Sequence, residues 1–134
     1  MCTQEESVID TDEVDVMIVD DQAPFRAAAR TVVALADGFG VTGEAETGED
    51  AVEQATALGP ALALMDINLP GITGIDATRR ITREHPGTVV VLMSTYTAED
   101  LPADAMACGA KAYVHKEDLF PDVLRRVWDE HRPN

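Results

Sequence analysis

Aromatic residues and cysteines are scarce in this sequence of 134 residues. Aromatic side chains make up 4% of it, and the only cysteines are Cys2 and Cys108. Two cysteines are too few for a disulfide framework, and their spacing matches no metal-ligand pattern. Hydrophobic residues nevertheless make up 46% of the chain. The length suits one domain, and its core is expected to consist of aliphatic side chains and methionine.

Basic residues are also few, since 10 Lys and Arg face 25 Asp and Glu, giving a formal net charge of −15. This charge disfavours direct binding to nucleic acid or to anionic membranes. Met1–Glu13 lacks the basic start and apolar centre of a signal peptide. No apolar run approaches the roughly 20 residues of a membrane span. We expect a soluble, cytoplasmic protein with an acidic flexible segment over 1–13 and one folded domain over 14–134.

Short apolar runs alternate with segments of helical periodicity. Strands are predicted at Val14–Val19, Val41–Glu46, Ala61–Met65, Thr88–Met93 and Lys111–His115. Helices are predicted at Pro24–Ala36, Thr47–Leu58, Gly74–Glu84 and Ala98–Cys108, with a last helix capped by Asp118 and ending near His131. In the last helix an apolar stripe is predicted at Phe120, Val123, Leu124, Val127 and Trp128. This alternation predicts an α/β fold with a doubly wound, five-stranded parallel sheet between two helical layers.

Polar and charged residues follow four of the predicted strands. They are Asp20 and Asp21, Asp66, Ser94 and Thr95, and Lys116. The carboxyl ends of parallel strands form the ligand-binding edge of such a sheet, so these side chains are expected to meet there. Clustered carboxylates repel one another, and a hard cation such as Mg²⁺ with oxygen ligands relieves that repulsion. A carboxylate nucleophile with an ammonium and a hydroxyl nearby has the groups that phosphoryl transfer requires.

Four motifs on these strand ends resemble response-regulator receiver domains, the phosphoacceptor domains of two-component signalling. They are VDD at Val19–Asp21, LMDINLPG at Leu64–Gly71, VVVLMST at Val89–Thr95 and GAKAYVHK at Gly109–Lys116. The motifs occur in the family's order, and the resemblance extends from about Val14 to His131. It implies a flavodoxin-like fold of five strand–helix repeats that catalyses only its own phosphorylation and dephosphorylation.

The resemblance also implies a role for each matching residue. Asp66 is the phosphoacceptor, and Asp20, Asp21, Asp66 and the backbone carbonyl of Asn68 hold Mg²⁺ or Mn²⁺. Ser94, the backbone amide of Thr95 and the Lys116 ammonium contact the phosphoryl group. Ser94 and Tyr113 form the conformational switch. No chemistry is assigned to His85, His115 and His131.

The implied partners are a histidine kinase or phosphotransfer protein as donor, and an output partner protein or a lost effector domain. Homodimerisation through the face of the fourth helix, fifth strand and fifth helix is common in the family. The segment Ser94–Tyr96 and the Glu117 that replaces a frequent proline after Lys116 resemble receivers attached to DNA-binding domains. We favour a stand-alone receiver because the chain begins with methionine.

Two other functions are compatible with parts of this pattern. A metal-dependent phosphatase would also form an aspartyl-phosphate intermediate, but such enzymes usually place a second acid where this chain has Asn68. An FMN-binding module needs a glycine- and hydroxyl-rich phosphate loop after the first strand. The corresponding loop, Asp20–Pro24, is acidic and lacks glycine. Both alternatives are therefore less favoured than the receiver.

Overall fold

A computed structural model describes residues 13–133 and contains one five-stranded parallel sheet. The strands are β1 (Val14–Val19), β2 (Phe39–Ala45), β3 (Leu62–Asp66), β4 (Val89–Ser94) and β5 (Ala112–His115). Their order across the sheet is β2-β1-β3-β4-β5. The connections reverse direction between β1 and β3, so the topological switch point lies between the carboxyl ends of these two strands. The predicted fold class is confirmed.

Four α-helices cover the two faces of the sheet in this part of the chain. They are α1 (Ala23–Leu35), α2 (Gly48–Leu58), α3 (Gly74–Glu84) and α4 (Pro121–His131). Two of them start at a threonine cap: the hydroxyl of Thr47 accepts the Asp50 amide at 3.0 Å, and that of Thr73 accepts the Asp76 amide at 3.1 Å. These bonds satisfy amides that a helix start otherwise leaves unpaired, which fixes where α2 and α3 begin.

Alternate residues of the strands point into two separate cores. Met17 of β1 and Met65 of β3 pack on one face with side chains of α2 and α3, including Ala51 and Ile81. The other face buries Val16, Ile18, Leu62 and Leu64 with Ala29 of α1 and Leu124 of α4. All residues of β3 and β4 are buried. Strands covered on both faces are apolar along most of their length, which explains the continuous apolar runs before Asp66 and Ser94.

The predicted helix Ala98–Cys108 is wrong. The structure has two 3₁₀ segments there, Ala98–Asp100 and Ala103–Ala107. Between them Leu101 is extended, with φ −65° and ψ 140°. Pro102 accounts for this break, because proline disfavours helical geometry in the residue before it and lacks an amide hydrogen for helix bonding.

The predicted start of the last helix is also wrong. Asp118 belongs to a 3₁₀ segment, Lys116–Asp118, and α4 begins at Pro121 with Phe120 as its cap residue. Proline favours this first helical position because its fixed φ suits a helix start. Phe120 was expected in the apolar stripe but is 54% exposed, whereas Leu119 is buried.

The predicted flexible segment 1–13 lies outside the described residues except for Glu13. Within residues 13–133, none of the helices combines the length and apolar character that crossing a membrane requires.

Candidate functional site

Three carboxylates meet at the carboxyl edge of the sheet. Asp20 follows β1 and is fully buried, Asp21 is exposed, and Asp66 ends β3 and is 4% exposed. Each offers one oxygen atom, and these three atoms lie within 4.8 Å of one another. The convergence that the positions directly after the strands predicted is therefore present for these three carboxylates.

Backbone and side-chain bonds hold Asp20 in place. Its amide donates to the carbonyl of Ala45 at 3.0 Å, which ties it to the end of β2. Its carboxylate accepts the Gln22 amide at 2.8 Å. Arg26 of α1 donates to the Asp20 carbonyl at 2.7 Å, and Glu44 lies 3.4 Å from the Arg26 guanidinium. The acidic loop after β1 is thus fixed by the neighbouring strand and by the first turns of α1.

Lys116 brings positive charge between the two buried acids. Its Nζ lies 2.6 Å from Oδ2 of Asp20 and 3.3 Å from Oδ2 of Asp66. The same atom lies 4.6 Å from the centre of the Phe25 ring, a cation–π distance. The Lys116 side chain is only 14% exposed. This ammonium partly compensates the charge of the carboxylate cluster.

The Asp66 carboxyl has a pKa raised from 3.8 to about 6. Burial is the largest cause, since it penalises the charged form, and the negative charge of Asp20 adds to it. The charge of Lys116 and the backbone amide of Asn68, which donates to Asp66 at 3.2 Å, act in the opposite direction. Asp66 is therefore ionised at neutral pH but more basic than an ordinary aspartate.

A cavity of about 240 Å³ opens beside Asp66. Its lining residues are Asp21, Gln22, Asp66, Asn68, Thr95 and Lys116. The Asn68 side-chain amide donates to the Tyr96 hydroxyl at 3.2 Å, which links the loops after β3 and β4. This cavity is polar and borders the Asp66 carboxylate.

Ser94 and Tyr113 lie together around a second cavity of about 320 Å³ rather than in the first. The Ser94 hydroxyl is buried and accepts the Tyr96 amide at 3.1 Å. The Tyr113 hydroxyl donates to the carbonyl of Ala105. Burial raises the pKa of Tyr113 above 10.0, and the nearby Cys108 adds to this. Both candidate switch residues thus have hydrogen-bond partners outside the carboxylate cluster.

The donor set fits a hard divalent cation. Three carboxylate oxygens within 4.8 Å of one another match the oxygen ligands that Mg²⁺ prefers. One of the three, from Asp21, is exposed, which suits an ion that retains several waters.

The sequence analysis did not predict that three further residues contribute contacts at this site. Phe25 and Arg26 lie one turn into α1 and contact Lys116 and the Asp20 carbonyl. His115, to which no chemistry was assigned, contacts the Thr95 carbonyl at 3.0 Å. The available signal was position: Phe25 and Arg26 follow the acidic pair by one helical turn, and His115 directly precedes Lys116.

Comparison with known proteins gives a consistent result. The family described as the response regulator receiver domain matches residues 16–127. Response regulator UvrY of Escherichia coli O6:H1 is 38% identical over 114 residues, which are 85% of this chain and 52% of UvrY. Response regulator GacA of Pseudomonas aeruginosa is 35% identical over 114 residues, or 85% of this chain and 53% of GacA. The chain therefore spans about half the length of these curated relatives.

Solved structures agree with this assignment. The response regulator domain of Thermotoga maritima CheB has a TM-score of 0.80 and 27% identity, covering 90% of this chain and 99% of that one. Response regulator ChrA of a heme-sensing two-component system has a TM-score of 0.72 and 27% identity, covering 90% of this chain and 59% of that one. The chain belongs to the response regulator receiver domain family of two-component signalling.

Proposed function

We propose that this receiver domain accepts a phosphoryl group on Asp66 and then presents a changed protein-binding surface. The observation that carries the proposal is the position of Asp66. Its buried carboxylate borders the 240 Å³ cavity and lies 3.3 Å from the Lys116 ammonium, with Asp20 and Asp21 beside it. The pKa of about 6 leaves Asp66 ionised at neutral pH and basic enough to act as a nucleophile.

The three carboxylates and the backbone carbonyl of Asn68 are the groups that would hold Mg²⁺ or Mn²⁺. Such a cation, when bound, supplies positive charge that neutralises phosphoryl oxygens during transfer. Asp20 and Asp21 hold this position at the end of β1, and the Arg26 guanidinium and the Ala45 carbonyl keep the loop in place. Oxygen donors and the negative charge of the cluster support this part of the proposal.

During transfer, an Asp66 carboxylate oxygen attacks the phosphorus of the donor. The new phosphorus–oxygen bond forms as the phosphorus–nitrogen bond of a phosphohistidine breaks, and the histidine leaves with its electron pair and takes a proton. Lys116 and the Thr95 amide stabilise the oxygens of the transferred group, since both residues line the cavity. Charge neutralisation and positioning are the main protein contributions in such reactions.

The donor in this proposal is a histidine kinase or a phosphotransfer protein, and the output is protein binding. Ser94 and Tyr113 act as the switch. The added negative charge draws the Ser94 hydroxyl away from the Tyr96 amide. The Tyr113 side chain then breaks its hydrogen bond to the Ala105 carbonyl and changes position. The affected surface comprises residues 98–107, β5 and α4, through which a partner or a second copy would bind.

The proposal is tested by incubating the protein with acetyl phosphate and Mg²⁺ and locating the modified residue by mass spectrometry. We expect one phosphoryl group on Asp66, none in Asp66→Asn, and a large loss of labelling when EDTA is present. Half-buried Asp76 provides a control, because it lies outside the carboxylate cluster and Asp76→Asn leaves that cluster intact. Labelling of another residue, or unchanged labelling of Asp66→Asn, contradicts the proposal.

The comparisons favour a receiver over a metal-dependent phosphatase. The two functions also differ in turnover. A receiver is expected to release phosphate from its own Asp66 only, whereas a phosphatase hydrolyses p-nitrophenyl phosphate over many cycles. Sustained turnover of that substrate, absent in Asp66→Asn, would overturn the receiver assignment of the site.

A further inference from the structure

His115 joins two loops at the edge of the phosphoacceptor site. It is the last residue of β5 and pairs with Ser94, the last residue of β4. Its Nε2 lies 3.0 Å from the carbonyl oxygen of Thr95, and its Nδ1 accepts the amide of Glu117 at 3.1 Å. One side chain therefore contacts the backbone on both sides of the site, after β4 and after β5.

These two contacts determine the protonation of the ring. A backbone amide can only donate, so Nδ1 must present its lone pair to Glu117. The carbonyl of Thr95 can only accept, so the proton must lie on Nε2. The ring is thus the neutral tautomer protonated on Nε2, with both nitrogens satisfied.

The backbone amide after Lys116 is the donor in one of the two contacts of His115. The residue after Lys116 is Glu117, whose backbone amide carries a hydrogen. Glu117 is exposed, and its amide hydrogen bonds to the His115 ring. His115 supplies the acceptor and forms the cap of the 3₁₀ segment Lys116–Asp118. Its other nitrogen then extends the support to Thr95.

We propose that His115 is a positioning residue for phosphoryl transfer. Its ring ties the Thr95 backbone to the turn that begins with Lys116, and so sets the separation of the two groups that contact the phosphoryl oxygens. The inference rests on the proposed function, since it concerns the same reaction at Asp66. His115 itself acts only through Thr95 and Lys116.

Three substitutions separate the two contacts. His115→Asn keeps a short acceptor for the Glu117 amide but cannot reach Thr95. His115→Gln has an amide long enough to donate to the Thr95 carbonyl, and His115→Leu removes both bonds. We expect the initial rate of Asp66 phosphorylation by acetyl phosphate to fall about five-fold in His115→Asn and His115→Leu. This factor corresponds to the loss of one neutral hydrogen bond, the one to the Thr95 carbonyl. In His115→Gln the rate should stay within about two-fold of wild type.

The unfolding midpoint of each variant is measured beside the rate. Equal rates in all variants overturn the proposal. So does a slow His115→Gln, a normal His115→Asn, or a set of rates that simply follows the loss of stability. Nitrogen chemical shifts of the His115 ring give a second readout, and a ring protonated on Nδ1 also overturns the proposal. If wild type gains no phosphoryl group at Asp66, the proposed function fails, while the ring tautomer still reports whether the tie exists.

Discussion

Among single residues, Lys116 has the most varied contacts at the site. Its ammonium faces Asp20 at 2.6 Å, Asp66 at 3.3 Å and the Phe25 ring at 4.6 Å. The two carboxylates attract it by charge, and the ring attracts it through the negative face of its π-system. The Phe25 ring is neutral, so its attraction for Lys116 does not change when the carboxylates gain or lose charge. The aromatic contact is therefore a constant part of the support for Lys116.

Replacing Phe25 by leucine should slow phosphorylation of Asp66 about three-fold, since a cation–π contact contributes roughly 0.5–2 kcal/mol. Phe25→Trp retains an aromatic face and should restore most of the rate. Initial rates with acetyl phosphate provide the measurement. Leu35→Ala is a suitable control, because Leu35 is at the end of the same helix and 68% exposed. Equal rates for Phe25→Leu and wild type would show that the ring does not support Lys116.

The raised pKa of Asp66 predicts a pH dependence of stability. The folded pKa is about 6 and the ordinary value is 3.8, so the folded protein binds more protons between these pH values. Stability should therefore fall as pH rises from about 4 to about 6. At 1.36 kcal/mol per pKa unit, the ionised Asp66 costs up to about 3 kcal/mol above pH 6.

Urea unfolding in EDTA at several pH values measures this effect. Asp66→Asn, which cannot ionise, should be more stable than wild type at pH 7 by about 1–3 kcal/mol. The difference should shrink toward zero near pH 4. A difference that is constant with pH would mean that ionisation of Asp66 is not its cause.

Residues that lie directly after strands were predictable, and residues that act through others were not. The strand ends place Asp20, Asp21, Asp66 and Lys116 at one edge, as expected from parallel topology. The contacts of Phe25, Arg26 and His115 depend on how α1 and β5 pack beside these ends. Sequence spacing alone does not specify such packing. The functional roles of all these residues remain predictions.

At the scale of the elements, the first residue of α3 lies so close to the Asp66 backbone that there is no room for a side chain at this position. A Cβ added to Gly74 would lie 1.9 Å from the carbonyl oxygen of Asp66. The Gly74 amide also donates to the Ile67 carbonyl at 2.8 Å. The start of α3 and the end of β3 are thus in direct backbone contact, and glycine makes this contact possible.

Gly74→Ala should force α3 away from Asp66. We expect a loss of about 1–3 kcal/mol in unfolding free energy, as for other overpacked sites, together with slower phosphorylation. Gly87→Ala is the matched control, because an added Cβ at Gly87 has no described atom within 4 Å. Denaturant unfolding and acetyl phosphate labelling check both variants. A Gly74→Ala protein as stable as Gly87→Ala would contradict the close approach.

Element boundaries were predicted well where capping residues or apolar runs marked them. β1 and α3 have the predicted bounds, Val14–Val19 and Gly74–Glu84. The segment 98–107 was predicted wrongly as one helix, because Pro102 interrupts it. The start of α4 was wrong for a related reason, since Asp118 resembles a cap residue but Pro121 marks the first turn. In both places proline determined the backbone geometry.

For the whole molecule, the net charge of −15 implies self-repulsion that salt should reduce. The carboxylate cluster adds a specific effect. MgCl₂ should stabilise the protein more than NaCl of equal ionic strength, by about 1.4 kcal/mol when Mg²⁺ is ten-fold above its Kd. Denaturant unfolding in the two salts measures the difference.

Asp21→Asn should reduce the specific effect of Mg²⁺, since it removes one of the three clustered oxygens. Glu53→Gln removes an exposed charge on α2 and serves as the control. Equal stabilisation by the two salts in wild type would indicate general screening only.

The ammonium shared by Asp20 and Asp66 has a thermodynamic consequence. A ligand that withdraws Asp20 from Lys116 leaves the positive charge more available to Asp66. Linkage requires the reverse effect to be equally large, so events at Asp66 must alter affinity at Asp20 by the same factor. Ligand binding at Asp20 and events at Asp66 therefore form one coupled equilibrium. The affinity measured at either residue depends on the state of the other.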